Sequence, residues 1–137
     1  MLQVIYGEKG TGKSKRILNE ANERLEKAVG SVVYIDKNKS YTREINYKIR
    51  FVDASEYSIN SPKMFYGFLC GIIAQDFDLE AVYVDGFLKI VQHDQATLEE
   101  LFTNLNELSD KFNFDLIISL SGELNNIPEF INKYIKE

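Results

Sequence analysis

The chain has 137 residues, of which 45% are hydrophobic and 27% are charged, and its formal net charge is −5. This size and apolar content predict one domain, 1–137, with a real core, and the acidic balance argues against a general nucleic-acid binder. No apolar run approaches the roughly 18 residues of a membrane span, and no signal peptide is recognisable. A single cysteine and a single histidine offer little for a disulfide or a transition-metal site. We therefore expect a cytoplasmic protein.

The first predicted strand, Leu2–Tyr6, runs directly into the octet GEKGTGKS at 7–14, which fits the phosphate-binding pattern G-x-x-x-x-G-K-[ST] at every fixed position. A chance match in a chain of this length is about one in two hundred. Helix formers follow, with an apolar stripe, and predict a helix from Lys13 to about Ala28. The candidate phosphate ligands are Gly7, Glu8, Lys9, Gly10, Thr11, Gly12, Lys13, Ser14 and Lys15.

The residue types in this octet suit a polyphosphate anion. Inward-pointing backbone N–H groups and the N-terminus of a helix surround such an anion compactly, and the glycines permit the turns that this requires. Lys13 can then reach the β- and γ-phosphates, and the Ser14 hydroxyl can bind Mg²⁺. The octet therefore predicts a site for a magnesium nucleotide.

A second strand is predicted at Ser31–Asp36 and a third at Tyr47–Asp53, the latter a half-exposed edge strand because apolar and basic residues alternate in it. Five basic residues and one acid lie between positions 37 and 50, with Tyr41 and Tyr47 among them. Basic residues interleaved with aromatics can bind a single-stranded nucleic acid, although a solvated loop and edge strand is the favoured interpretation of 37–50.

Ser61 is placed to cap a helix that starts at Pro62 and continues to about Gln75. Its centre is apolar on all sides, which indicates either full burial or one face turned to a partner protein or a second copy. Gly67 and Gly71, four residues apart, predict a close approach of this 61–75 helix to the sheet. The run is too short for a membrane span.

The second half of the chain predicts a strand at Ala81–Asp85, a helix capped by Asp94 and continuing through Phe112, a strand at Asp115–Leu120 and a closing helix at Pro128–Lys136. Strands this apolar, separated by helices, indicate a sheet that is covered on both faces. We therefore predict a three-layer α/β/α sandwich with a mostly parallel five-stranded sheet.

Asp85 ends an apolar strand, which is where a phosphate-loop protein places the carboxylate that orients its Mg²⁺ ion. An aspartate before Gly86 can also simply form a turn. With the octet upstream, we favour Ser14 and Asp85 as the metal ligands.

At this point the chain resembles the P-loop NTPases, and among them the RecA-like branch, over nearly its whole length. The stretches that carry the resemblance are GEKGTGKS at 7–14, VVYIDKN at 32–38, AVYVDG at 81–86 and LIISLSG at 116–122. The chain is also similar in size and layout to short, uncharacterised bacterial ATP-binding proteins. The resemblance implies a sensor strand between the phosphate-loop strand and the Asp85 strand.

The RecA-like resemblance also implies roles for single residues. The family's water-polarising glutamate falls on Asn38, with Asp36 the nearest carboxylate that can replace it, and Gly86 occupies the other usual position of a base. Ser119 or Ser121 takes the place of the polar γ-phosphate sensor. The implied catalytic set is Lys13, Asp36 and Asp85.

These patterns favour a Mg-ATP-binding switch or slow ATPase that needs a partner or an oligomer for hydrolysis, because no arginine follows residue 50 to serve as an arginine finger. A lysine such as Lys89 is the alternative source of that charge. The alternatives are a small-molecule kinase with Asp36 as the substrate-side base and a non-hydrolysing nucleotide-binding interaction module. No guanine-reading Asn-Lys-x-Asp element is present, since Asn38-Lys39-Ser40-Tyr41 lacks the aspartate.

Overall fold

The computed structural model describes residues 1–39 and 42–136, and within them five strands form one sheet in the order β1-β5-β4-β2-β3 with every neighbouring pair parallel. The strands are β1 Leu2–Gly7, β2 Ser31–Asp36, β3 Arg50–Asp53, β4 Leu79–Val84 and β5 Asp115–Ser121. The helices are α1 Lys13–Lys27, α2 Pro62–Ala74, α3 Phe87–Val91, α4 Glu99–Phe112 and α5 Glu129–Asn132, and short 3₁₀ turns occupy Ala54–Tyr57 and Gln95–Thr97.

The core lies on both faces of this sheet because successive side chains of each strand point to opposite sides. Ile5 joins the cluster that contains Ile17 and Ala21 of α1, whereas its neighbour Val4 joins the larger cluster with Phe102 of α4. Residues of α2 and α3 belong to that larger cluster as well. The predicted α/β sandwich with a parallel sheet is therefore confirmed.

The strand order decides which loops meet. β5 lies between β1 and β4, as the implied sensor strand should. Since the strands are parallel, their carboxyl ends lie along one edge of the sheet. The same edge therefore carries the loop after β1, Asp36 at the end of β2, Asp85 directly after β4 and Ser119 near the end of β5.

The third strand is shorter than predicted, because Tyr47–Ile49 form a turn and β3 begins only at Arg50. Asn46 causes the difference: its side-chain oxygen accepts the Lys48 N–H at 3.0 Å and its carbonyl accepts the Ile49 N–H at 2.9 Å. These bonds satisfy groups that would otherwise join the sheet ladder. Tyr41, named above with the basic segment, lies outside the described residues.

Two predicted helices were also wrong in their bounds. Asp94 caps the 3₁₀ turn at 95–97 by accepting the Ala96 N–H, and α4 starts only at Glu99. The closing helix ends at Asn132, and the chain then extends beside β1. There Val4 donates to the Tyr134 carbonyl and accepts from the Lys136 N–H, both at 2.8 Å. The outer edge of β1 thus takes backbone bonds that a longer helix would have used.

The predicted approach of Gly67 and Gly71 to the sheet is wrong. The buried residues of α2 are Phe65, Leu69 and Ile73, and both glycines fall on the opposite, exposed side, with no atom within 4 Å of where a Cβ would lie. Ser61 caps α2 as predicted, accepting the Met64 N–H at 3.2 Å. No helix within the described residues combines the length and apolar character that crossing a membrane requires.

Gly30→Ala is expected to lower the free energy of unfolding by about 2–3 kcal/mol, the cost of overpacking a site that cannot yield. A Cβ at Gly30 would lie 2.0 Å from the Asp78 carbonyl oxygen, which accepts the Ser31 N–H at 2.7 Å. Urea denaturation measures the change. Gly67→Ala is the matched control, because it meets open space in a helix and should stabilise slightly. If Gly30→Ala were as stable as the wild type, the close contact between Gly30 and the Asp78 carbonyl would be contradicted.

Candidate functional site

The loop between β1 and α1 is built on two glycines in the left-handed region, Gly10 at φ 85° and Gly12 at φ 83°. Non-glycine residues rarely adopt this conformation, so the octet needs glycine at both positions. Gly12 is also the N-cap of α1, and no side chain caps that helix end. The first backbone N–H groups of α1 are therefore available to an anion at the loop.

Lys13 is held against its own loop. Its Nζ donates to the Glu8 carbonyl at 2.7 Å, and the Thr11 hydroxyl donates to the same oxygen at 2.7 Å. Partial burial lowers the pKa of Lys13, and the Asp85 carboxylate offsets part of this effect. The ammonium thus lies between a neutral carbonyl and an acidic side chain, and a phosphate is a stronger partner than the carbonyl.

Asp85 follows β4 and is fixed by the neighbouring strand. The buried Ser119 hydroxyl of β5 donates to Asp85 Oδ1 at 2.6 Å and accepts the Gly86 N–H at 3.0 Å. The Asp85 N–H in turn donates to the Ile35 carbonyl at 2.9 Å. The carboxylate therefore has one defined orientation, set by strands on both sides of it.

These residues surround a cavity of about 430 Å³. Its walls carry four lysines, Lys9, Lys13, Lys15 and Lys89, against one carboxylate, Asp85. In a chain of net charge −5 this is a local reversal of sign, which attracts anions. The full set of lining residues is Lys9, Gly10, Gly12, Lys13, Ser14, Lys15, Asp85, Gly86, Phe87, Leu88, Lys89, Ser119 and Ser121.

The structure brings together most of the candidate residues. The lining includes Lys9, Gly10, Gly12, Lys13, Ser14, Lys15 and Asp85. Three candidate residues do not line the cavity: Gly7, which ends β1, and Glu8 and Thr11 of the following loop. Glu8 supplies the backbone carbonyl that accepts the hydrogen bond from Lys13. Ser119 contacts Asp85, and Ser121 also lines the cavity.

Ser14 and Asp85 are the hard oxygen donors on this wall that suit Mg²⁺. Within the described part of the chain, no group of three or more His, Cys, Asp or Glu side chains could hold a metal ion. A magnesium ion between Ser14 and Asp85 would therefore complete its octahedron with water and phosphate oxygens, which is how Mg²⁺ is usually held beside a nucleotide. The residues present fit that ion.

Asp36 does not line the cavity but lies on the strand next to the one that Asp85 follows. It ends β2, next to β4, and its Oδ1 accepts the Asn38 N–H at 3.1 Å. Burial, followed by repulsion from Asp85, raises the pKa of Asp36 to about 7, although backbone hydrogen bonds from Asn38 and Lys37 oppose the rise. Near neutral pH this carboxyl exists in both protonation states.

The sequence prediction did not include α3, which places Lys89 on the cavity wall. Phe87 anchors the helix in the core, with edge-to-face contacts to Phe65 at 5.0 Å and Phe102 at 6.0 Å between ring centroids. Phe87, Ile90 and Val91 have helical spacing and are buried. That spacing is a helical signal, with Lys89 on the other face, but it spans only five residues, which is too short to predict a helix from sequence.

The basic residues of 37–50 are distributed around β3. Lys39 and Arg50 line one cavity of about 330 Å³, together with Asp53 and Glu56, and Arg50 also lines a second cavity with Lys48. Lys39 forms ion pairs with Asp53 and Glu56, both at 3.4 Å. Acidic side chains thus accompany the basic ones, and a nucleic-acid contact at 37–50 stays a prediction.

Comparison with known proteins gives a likeness in fold. No protein-family model and no curated protein matches the sequence, whereas 85 chains of solved structures match the fold. One is the crystal structure of flagellar accessory protein FlaH from Methanocaldococcus jannaschii, with a TM-score of 0.57 and 15% sequence identity. The alignment covers 96% of this chain but only 65% of that one. At this identity the likeness shows a shared fold alone, an α/β fold built on a parallel sheet.

Proposed function

We propose that the chain binds Mg-ATP in the cavity beside the 7–14 loop and acts as a nucleotide-dependent switch or a slow ATPase. The observation that carries this proposal is the convergence of the loop, four lysines and the fixed Asp85 carboxylate on one cavity of about 430 Å³. Lys13 would contact the β- and γ-phosphates, and Ser14 and Asp85 would hold the ion that bridges them. A cytosolic location, where ATP is abundant, is part of the proposal.

Hydrolysis by the isolated chain should be slow for a geometric reason. Asp36 at the end of the neighbouring strand β2 accepts a backbone hydrogen bond from Asn38 and does not line the cavity. The cations on the described wall are all lysines. An arginine finger contributes about 10³–10⁵ in rate. We therefore propose that a partner protein or a second copy completes the site.

Calorimetry with ATP, ADP and GTP, each with and without Mg²⁺, tests the proposal directly. We expect magnesium-dependent binding of ATP, with weaker binding of ADP because it lacks the γ-phosphate contacts. Phosphate release measured on the same samples then separates a switch from an ATPase. The absence of binding to any of the three nucleotides would refute the proposal.

Ser119→Ala is expected to weaken magnesium-supported ATP binding by about 10-fold or more, since groups that orient a metal ligand typically contribute 10–100-fold. The hydroxyl that holds Asp85 Oδ1 at 2.6 Å is lost, while the cavity wall keeps its charges. A Mg²⁺ titration of the ATP affinity measures the effect. ATP binding without Mg²⁺ is the internal control and should not change. An unaltered Mg²⁺ dependence would remove Ser119 from the site.

The second candidate function is that of a small-molecule kinase, which the near-neutral pKa of Asp36 favours, because a base is most effective when its pKa is close to the working pH. A phosphotransfer screen with nucleosides and small metabolites distinguishes the two. If the screen gave a phosphorylated product without release of free phosphate, the kinase function would be supported and the switch function rejected.

A non-hydrolysing interaction module is the third candidate. Its partner surface would be the exposed side of α2 with Gly67 and Gly71, or the basic segment 37–50 bound to a nucleic acid. Salt-dependent binding of single-stranded DNA or RNA would support the latter.

A further inference from the structure

The end of the molecule opposite the candidate nucleotide cavity carries two fully exposed apolar side chains. Val29 precedes β2 and Phe77 precedes β4, and both are completely open to solvent. β2 and β4 are neighbours, so the two loops lie side by side. An exposed phenylalanine beside an exposed valine offers apolar surface that a partner can cover.

The loops that carry Val29 and Phe77 are held firmly together. The Ser31 N–H donates to the Asp78 carbonyl at 2.7 Å, and the Ser31 hydroxyl donates to Asp76 at 3.3 Å. The Val29 N–H donates to Glu80 Oε1 at 3.0 Å. Phe77 therefore projects from a fixed base, and little conformational entropy remains to be lost when it is covered.

A recess of about 320 Å³ lies beside these loops. It exists because β3 begins opposite Val33, so that Ser31 and Val32 of β2 extend past its end. Its lining mixes apolar and polar side chains in similar proportion. Leu25, Val52 and Ile72 are among the apolar ones, and the charged ones are Lys48, Arg50 and Asp76.

We propose that this end of the molecule binds a second copy of the chain, with Phe77 of each copy filling the recess of the other. The two parts are complementary in net charge, since Asp76 and Asp78 flank Phe77 whereas the recess carries two basic side chains, Lys48 and Arg50, against the one carboxylate of Asp76. They are also adjacent on one chain, because Asp76 itself lines the recess. Adjacent, mutually complementary parts are what a two-fold symmetric interface requires.

This interface leaves the nucleotide cavity accessible, because the two lie at opposite ends of the strands, and it is a different contact from the one proposed to complete the nucleotide site. The proposal is therefore independent of the proposed function. Each phenylalanine that enters a recess removes about 150–250 Å² of surface from water, and the exposed Val29 adds to it. Two such rings bury roughly 300–500 Å². This is below the roughly 1,000 Å² of a stable interface, so we expect a weak dimer.

Sedimentation equilibrium from about 1 µM to about 500 µM tests the proposal. We expect a concentration-dependent dimer for the wild type and a dissociation constant at least about 100-fold higher for Phe77→Ala, which removes the central anchor from both halves. Phe77 is fully exposed, so this variant should fold. Leu124→Ala is the matched control: Leu124 is an exposed apolar residue that follows β5 at the other end of the molecule, and its loss should change nothing.

A charge exchange tests the recognition itself. Lys48→Glu and Asp78→Lys are each expected to weaken the dimer about 10-fold, and the double variant should recover most of the loss because the opposite charges face each other again. A wild type that stays monomeric at the highest concentration would overturn the proposal. So would a dimer that resists Phe77→Ala and dissociates with Gly71→Arg on the exposed side of α2. A double variant weaker than both single variants would overturn the pairing.

Discussion

Replacing Lys13 with alanine is expected to abolish measurable Mg-ATP binding while the fold stays intact. The Lys13 ammonium makes its hydrogen bond to the Glu8 carbonyl at 2.7 Å, within the loop itself, and no core residue depends on it. A charge-assisted hydrogen bond contributes about 1.5–3 kcal/mol, and Lys13 can reach oxygens of two phosphates. The affinity should therefore fall by at least about 100-fold. Calorimetry measures the affinity, and thermal unfolding without nucleotide measures the fold.

Lys27→Ala provides the matched control for the loss of a lysine from the same helix. Lys27 is the last residue of α1, exposed and at the opposite end from the loop. It carries the same charge, so its replacement changes the net charge equally but should leave the ATP affinity unchanged. If Lys13→Ala bound Mg-ATP as tightly as the wild type, the assignment of the phosphate site to residues 7–14 would be refuted.

The features that sequence predicts well here are those whose cause is local. The octet specifies its own geometry, because glycine adopts the left-handed backbone at positions 10 and 12 without strain. Apolar strands as continuous as Val32–Ile35 indicate a parallel sheet whose carboxyl ends share one edge. For this reason Lys13, Ser14 and Asp85 could be named as neighbours, and the structure places them on one cavity.

Features that arise from contacts distant in sequence could not be predicted in the same way. Helix α3 has five residues and forms because Phe87 fits between the rings of Phe65 and Phe102. Helices this short have little stability of their own. The extended segment after Asn132 likewise depends on the edge of β1, more than 120 positions earlier in the chain. Lys89 on the cavity wall and the shortened closing helix follow from these packing effects.

The exposure of Phe77 is another feature that the sequence alone does not predict. The sequence Asp76-Phe77-Asp78, between a helix and a strand, is equally compatible with a turn whose aromatic side chain packs onto the core. The hydrogen bonds of Ser31 to Asp76 and Asp78 fix the loop in another orientation. Only the paired strands β2 and β4 bring those residues together, so neither the exposed ring nor the recess beside it is visible in the sequence.

Asp36→Asn is expected to make the protein more stable than the wild type above pH 7, and the difference should vanish near pH 4. The folded-state pKa of Asp36 is about 7, raised by burial and by Asp85, whereas an unfolded aspartate titrates near 3.9. Between these values the folded state binds the proton more tightly, so wild-type stability falls as the pH rises through this window. Asparagine has no such proton and keeps the oxygen that accepts the Asn38 N–H.

The magnitude follows from the width of that window. About three pKa units correspond to roughly 4 kcal/mol, and water in the adjacent cavity reduces this to about 2 kcal/mol at pH 8. Urea denaturation at pH 4, 6 and 8, with EDTA present, measures it. The chelator is needed because a divalent ion at Asp85 would itself favour the ionised form of Asp36. A gain in stability that is the same at all three pH values would mean that Asp36 titrates as an ordinary surface carboxyl.

Asp53→Asn is the matched control, with the opposite sign expected. Asp53 ends β3 directly opposite Asp36 in the register of the sheet. Hydrogen bonds from the Ser55 hydroxyl and N–H, with Lys39 nearby, lower the pKa of Asp53 rather than raising it. Its ionised form therefore stabilises the fold above pH 4, and the variant should be less stable than the wild type at pH 8, with the deficit shrinking as the pH falls below about 4. Asp36 and Asp53 both end a strand and are paired in the sheet. Opposite pH dependences of the two variants would therefore show that the surroundings of Asp36 beside Asp85, rather than its position at a strand end, raise its pKa.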